Sequence, residues 1–252
     1  KWFDTNYHYM VPEVGEDQAF TLTAQKPVDH FLEARALGIH TRPVVLGPVT
    51  FLKLSKARPS TFKPLDLLAR LLPVYEELFR RLETAGADWV QVDEPVLALD
   101  LTEGERHAFK LAYEALARSA PGLKVMLATY FGALAGNLEA VAALPVAGLH
   151  VDLVRAPEQL EPVAKAIGAD RVLSLGVIDG RNIWKADLAV ILGRLAPVGS
   201  RSPPRAPCCM CRSTSNWKRR SMRTSSPGFP LPRRSWASFR RSAGGSPKGR
   251  TR

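Results

Sequence analysis

Hydrophobic residues recur at steps of three and four along several segments of the chain, which is the spacing of amphipathic α-helices. The clearest segment covers residues 64–85, and Gly86 follows it where a left-handed residue commonly ends a helix. The same spacing returns over residues 105–118, 157–168 and 186–195. The pattern therefore predicts a helix, with one apolar face, over each of these segments.

Between these helices lie short apolar runs with little alternation, which is typical of strands covered on both faces. The runs are Pro43–Leu46, Trp89–Val92, Val125–Leu127, Leu149–Leu153 and Val172–Leu175. Alternation of such runs with helices predicts βα units and a parallel sheet. We expect an α/β fold with about five βα units.

Polar residues follow these runs, at the ends where a (β/α) barrel carries its active site. They are Thr50, Asp93, Glu94, Thr129, Tyr130, Asp152, Arg155, Asp179 and Arg181. An open doubly wound sheet would place polar groups at the same edge, so both architectures stay open and the barrel is favoured. Five units are too few to close an eight-stranded barrel, so we predict a partial (β/α)8 TIM-type barrel.

Charge divides the chain into two unlike parts. Residues 1–200 hold 21 Lys and Arg and all 24 Asp and Glu, whereas residues 201–252 hold 14 basic residues and no acidic one. All three cysteines, Cys208, Cys209 and Cys211, lie in the second part. The first part carries no cysteine, which suits a reducing cytoplasm. The chain shows no apolar run long enough to cross a membrane and no signal-peptide pattern at its start, so we expect a cytoplasmic protein without a membrane partner.

Five stretches resemble, in the same order, motifs of the cobalamin-independent methionine synthase family. They are residues 1–13, 43–50, 89–95, 148–154 and 176–184, of which the first is an aromatic-rich polar segment typical of a ligand-contacting loop. The resemblance implies two fused (β/α)8 barrels that transfer a methyl group from 5-methyltetrahydrofolate polyglutamate to homocysteine. The stretches match the N-terminal barrel, so we expect residues 1–198 to form an incomplete N-terminal barrel domain.

In this family the zinc and the homocysteine belong to the C-terminal barrel, where a strand carries a His-x-Cys pair. The corresponding residues 127–131 of this chain read Leu-Ala-Thr-Tyr-Phe and offer no such ligand. The resemblance therefore implies no bound zinc and no catalytic residue here. It also matches Lys1 to a lysine that contacts the anionic glutamate tail of the folate, as a flexible cation can. The alternative is a solvated lysine at the chain end, and folate binding by this chain alone is expected to be weak or lost.

Other polar residues admit two interpretations each. Asp93 and Glu94 could act as a paired acid and base, but capping of loops or pairing with Arg is favoured. His8 and His150 could bind a metal, yet no ligand cluster accompanies them, so structural or substrate-side roles are favoured. Residues 179–182 predict a turn in which Gly180 supplies a positive φ.

The basic residues 199–252 allow three interpretations: a nucleic-acid arm, a Cys-Cys-x-Cys metal site, or translation of a shifted reading frame. Regrouping degenerate codons of residues 207–218 one nucleotide earlier permits Ser-Leu-Leu-His-Val-Pro-Val-Asp-Leu-Glu-Leu-Glu, which resembles the family's next strand and loop. We therefore predict a frameshift near residues 196–202 and a disordered Arg/Ser/Pro-rich tail. Its thiols are then accidental, and no specific nucleic-acid partner is expected.

The expected function is that of a methyltransferase fragment that contributes to methylfolate binding and to the scaffold, inactive by itself. Two alternatives belong to other classes. One is a folate-binding or scaffold module without catalysis, and the other is a nucleic-acid-binding protein that uses its basic tail.

Overall fold

The computed structural model describes residues 1–23 and 25–199, so the predictions made for residues 200–252 lie outside the described residues. The helices are α1 (Lys26–Ala36), α2 (Pro48–Lys53), α3 (Leu68–Thr84), α4 (Glu103–Ser119), α5 (Leu138–Ala142), α6 (Leu160–Ala166) and α7 (Leu188–Gly199). The strands are β1 (Glu13–Val14), β2 (Val44–Leu46), β3 (Lys56–Ala57), β4 (Trp89–Asp93), β5 (Lys124–Ala128), β6 (Gly148–Asp152) and β7 (Val172–Gly176). Short 3-10 turns precede α3, α5 and α6 and follow β4.

Five parallel strands form the main sheet in the order β2-β4-β5-β6-β7. Each strand neighbours the next one along this series, without the reversal of strand order that defines a doubly wound sheet. Sequential parallel strands with helices between them are the arrangement of a barrel wall. The predicted α/β class and parallel sheet are confirmed, and the five apolar runs coincide with these strands. Strands β1 and β3 form a separate two-stranded parallel pair.

The core lies between the outer face of the sheet and the helices. Val90 and Val92 of β4 are fully buried, whereas the alternate residues Gln91 and Asp93 are half-buried, as the period of two along a strand requires. Phe79 on α3 and Phe109 on α4 are buried in the same hydrophobic cluster. At β4 the two faces of the sheet therefore differ, one apolar and fully buried, the other polar and half-buried.

The helix ends follow from local sequence. Thr102 begins α4 with a capping box, in which its hydroxyl accepts from the Glu105 N–H while the Glu105 carboxylate accepts from the Thr102 N–H. Gly86, just beyond α3, has a φ of 85°, as its position predicted. Gly180 differs from the prediction, because the left-handed glycines of the described chain are Gly38, Gly86 and Gly168. The turn is held instead by Asp179, whose carboxylate accepts from the Arg181 N–H.

Three helices were not predicted, namely α1, α2 and α5. Helix α1 buries only Val28 and Phe31, so its apolar stripe is too sparse to read. Helices α2 and α5 have six and five residues, which is too short for a periodic pattern to emerge. Within residues 1–23 and 25–199, the helices are too short or too polar to cross a membrane.

Candidate functional site

The carboxyl ends of the parallel strands bring polar side chains to one edge of the sheet. The strand register aligns Asp93, Ala128, His150 and Ser174 in a single row across β4, β5, β6 and β7. Ala128, between Asp93 and His150 in this row, is fully buried. We call this row and the loops that follow the strands the carboxyl edge.

Asp93 is the centre of a hydrogen-bonded group at the carboxyl edge. Its carboxylate accepts from Gln91 Nε2 at 2.8 Å and from the Tyr130 hydroxyl at 3.3 Å. Arg42 Nη2 in turn donates to Gln91 Oε1 at 2.9 Å. Partial burial raises the pKa of Asp93, while the bonds from Gln91 and Tyr130 oppose that rise. The result is a carboxyl group that takes up a proton more readily than an exposed aspartate does.

Glu94 faces away from Asp93 and is fully buried. Its carboxylate accepts from the N–H groups of Thr50 at 2.7 Å and Val49 at 3.4 Å, and from the Tyr113 hydroxyl at 3.4 Å. Glu94 therefore caps the start of α2, and the two adjacent carboxylates do not share a ligand or a proton. This geometry agrees with the capping interpretation and not with a paired acid and base.

Burial is also the main influence on the protonation of Glu94. It raises the pKa of this carboxyl from 4.5 to about 7, against the opposing effect of the hydrogen bonds from α2 and Tyr113. Gly47 lies so close that a Cβ added there would overlap the carboxylate. The connection between β2 and α2 is thus built around this one side chain.

His150 lies on the row next to Ser174, and its Nδ1 is 2.9 Å from the Ser174 hydroxyl. Burial lowers the pKa of His150, and the charge of Arg42 lowers it further. His8 is exposed, in a different part of the chain. Across the described residues, no three His, Cys, Asp or Glu side chains gather as metal ligands would, so these residues do not fit a zinc site.

The first segment of the chain, residues 1–10, contacts the carboxyl edge through Phe3 and Asp4. Asp4 Oδ2 is 2.5 Å from Arg155 Nη1 and 3.5 Å from Arg181 Nη1, so one carboxylate joins the loops after β6 and β7. The Phe3 ring packs on Phe131, with 5.3 Å between ring centroids. Lys1 is exposed at the start of this segment. The first segment therefore lies at the carboxyl edge, beside the polar residues that end the strands.

Sequence reasoning placed Arg155 and Arg181 at the carboxyl edge but did not find their partner Asp4. Asp4 lies 151 and 177 residues away from them along the chain, and nothing local marks it as an ion-pair partner. The role of Phe131 was also missed. Its φ of 76° is unusual for a bulky residue, but a backbone angle leaves no trace in the residue pattern.

The family model described as "Cobalamin-independent synthase, N-terminal domain" matches residues 1–203. The chain belongs to this family. The match ends two residues beyond Arg201, the first residue of the part that holds 14 basic residues and no acidic one. The change of composition thus falls at the border of the family likeness.

Relatives in the cobalamin-independent synthase family include the 5-methyltetrahydropteroyltriglutamate–homocysteine methyltransferase of Mesorhizobium japonicum. That protein is 65% identical over 198 residues, which are 79% of this chain and 26% of the relative. The enzyme of the same name from Caulobacter vibrioides is 61% identical over 201 residues, 80% of this chain and 26% of the relative. The chain spans about a quarter of the length of the curated relatives it matches.

Two solved structures share the fold. A putative vitamin-B12 independent methionine synthase from Listeria monocytogenes has a TM-score of 0.61 at 15% identity, over 82% of this chain and 69% of that one. A B12-independent methionine synthase from Shewanella sp. W3-18-1, in complex with selenomethionine, has a TM-score of 0.59 at 15% identity, over 72% and 58%. At this identity the likeness establishes the fold of the family and carries no residue roles.

Proposed function

We propose that this chain is part of the N-terminal domain of a methyltransferase that moves a methyl group from 5-methyltetrahydropteroyltriglutamate to homocysteine. The names of the relatives support this activity for the whole protein. The observation that supports a binding role for this part is the placement of the aromatic-rich first segment over the carboxyl edge. The contribution of the chain is then to hold the methylfolate and to form the scaffold around it.

Lys1 is the residue that we assign to the glutamate tail of the folate. It is exposed, and within the described part of the chain no carboxylate lies within ion-pair distance of its Nζ. A tail of several carboxylates is the kind of ligand that an unshared, flexible ammonium group attracts. This role predicts a preference for the triglutamate over the monoglutamate form.

The chain by itself is proposed to bind methylfolate weakly and to catalyse no methyl transfer, in a cytoplasmic setting. Within residues 1–23 and 25–199 no group of side chains fits a zinc site, and the family resemblance implies that zinc and homocysteine belong to the C-terminal barrel. A zinc ion lowers the pKa of a bound thiol, which would supply the homocysteine thiolate in the complete enzyme. We therefore assign no step of that chemistry to the described residues of this chain.

Calorimetric titration of the chain with the triglutamate and the monoglutamate tests the binding role. We expect a dissociation constant above about 100 µM for the triglutamate, and weaker binding of the monoglutamate. Lys1→Ala should remove the difference, whereas Lys110→Ala on the exposed face of α4 should keep it. Binding at micromolar concentration would contradict the proposed weakness, and equal binding of both forms would contradict the role of Lys1.

Residues 199–252 are proposed to be a tail translated from a shifted frame, which begins near residues 196–202. The end of the family match at residue 203 supports this proposal. The nucleotide sequence around codons 190–205 tests it, because an adjacent frame should encode the continuation Ser-Leu-Leu-His. An adjacent frame without that continuation would refute it, as would tight, salt-resistant and sequence-selective nucleic-acid binding by the tail.

A further inference from the structure

The first segment of the chain is tied to the domain by charged groups that converge from three places. Asp4 lies in the segment, Arg155 in the loop after β6, and Arg181 in the loop after β7. We call these three residues the latch. In the described chain, the ion pairs that join residues 1–10 to the rest of the molecule all run through the Asp4 carboxylate.

The loop that presents Arg155 is held by hydrogen bonds that do not involve the first segment. Asp152 Oδ1 accepts from the N–H groups of Val154 at 2.9 Å and Arg155 at 3.1 Å. Its other oxygen accepts from the Phe131 N–H at 3.1 Å. One carboxylate at the end of β6 therefore fixes the backbone of both Arg155 and Phe131, which are two of the groups that the segment contacts.

An aromatic contact accompanies the ion pairs. Phe3 packs on Phe131, and the Arg155 guanidinium lies 5.8 Å from the centroid of the same Phe131 ring. Inside the segment, the Trp2 N–H donates to the Tyr7 carbonyl at 2.7 Å. Residues 2–7 therefore form a small folded loop, and anchoring Phe3 and Asp4 restricts the region that Lys1, bonded to Trp2, can reach.

We propose that Asp4 is a positioning residue, which, through Arg155 and Arg181, holds the first segment at the carboxyl edge so that Lys1 meets the anionic tail of the ligand. This inference rests on the proposed function of Lys1. The polar link is suited to positioning because two guanidinium groups from separate loops fix one carboxylate in direction as well as in distance. An apolar contact alone, such as that of Phe3, would let the segment slide or turn.

Hydrogen exchange of the intact chain, measured by mass spectrometry, tests the latch without any ligand. Asp4→Asn should speed exchange of the amides in residues 2–10 about fivefold, which corresponds to the upper end of the stabilisation that solvent-exposed ion pairs provide. Exchange in the peptides of α3 should stay unchanged. Asp4→Glu keeps the charge and should restore most of the protection. Asp17→Asn is the matched control, since Asp17 is 99% exposed and pairs with Arg70 at 3.7 Å, away from the latch.

The second measurement is the ratio of affinities for the triglutamate and the monoglutamate. Asp4→Asn should lose this preference toward the level of Lys1→Ala, whereas Asp17→Asn should keep it. Unchanged exchange in Asp4→Asn would overturn the latch itself. Faster exchange with an unchanged ratio would overturn positioning while leaving the role of Lys1 intact. A wild-type chain without any preference would instead remove the proposed role of Lys1, and the positioning inference with it.

Discussion

Replacing Glu94 by Gln should change how the stability of the chain depends on pH. Burial raises the pKa of this carboxyl from 4.5 to about 7 in the folded chain. Between these two values the folded chain binds more protons than the unfolded chain does. The stability gained by protonation is therefore fully present below about pH 4.5 and is lost as the pH rises through about 7.

The difference between the ordinary pKa of 4.5 and the raised pKa of about 7 sets how much the unfolding free energy changes with pH, since each pKa unit corresponds to about 1.4 kcal/mol. From about pH 5 to pH 8 the loss of unfolding free energy due to Glu94 is about 2 to 3 kcal/mol. Gln does not titrate, yet it keeps an oxygen that can accept from the Thr50 N–H. We therefore expect Glu94→Gln to lack this loss. Other groups with shifted pKa values, such as Asp93 and His150, are present in both proteins and cancel in the difference.

Urea unfolding followed by circular dichroism, repeated at several pH values between about 5 and 8, measures the effect. The wild-type chain should lose its advantage over Glu94→Gln as the pH rises. Glu139→Gln, on the exposed surface of α5, is the matched control and should follow the wild-type curve. Parallel pH curves for Glu94→Gln and the wild type would refute the reasoning, because they would mean that the buried carboxyl is ionised throughout.

Three further substitutions test the packing around the site by the same unfolding measurement. Gly47→Ala should lower the free energy of unfolding by about 2 to 4 kcal/mol, because its Cβ would overlap the Glu94 carboxylate. Gly104→Ala, in open space on α4, is the control and should be neutral or slightly stabilising. Equal effects of the two substitutions would contradict this reasoning. Thr102→Ala should cost about 1 kcal/mol through loss of the cap of α4, and no loss would contradict a capping role. Phe79→Ala should cost about 3 to 5 kcal/mol, whereas Leu111→Ala, 47% exposed, should cost far less; similar losses would place Phe79 outside the core.

The sheet was predictable because its strands are continuous apolar runs that end in polar residues. Val90 and Val92 are fully buried, and buried positions of this kind require apolar residues, which makes the strand visible in the sequence. The parallel direction of the strands followed from the regular alternation with helices, whereas their order did not, because a doubly wound sheet has the same alternation. Helix α1 was not predicted, because its two buried residues, Val28 and Phe31, are too few to form a recognisable apolar stripe.

The candidate site was predictable only in part. Residue types at strand ends located Asp93, Asp152, Arg155 and Arg181 at one edge, because parallel strands bring their carboxyl ends together. Their partners could not be found in the same way. The Asp4 contact joins residues more than 150 positions apart, and it depends on the sheet bringing the loops after β6 and β7 close to the first segment.

Asp93 and Glu94 show how the fold separates two neighbouring carboxylates into different tasks. Asp93 ends β4 on the open face of the sheet, within reach of Gln91 and Tyr130. Glu94 turns into the packed side and fixes the start of α2, so that β2 and β4 are tied together by a group that no ligand reaches. The carboxyl edge therefore has its own internal support, which does not involve Asp4. For that reason loss of the latch should release the first segment and leave the edge beneath it intact.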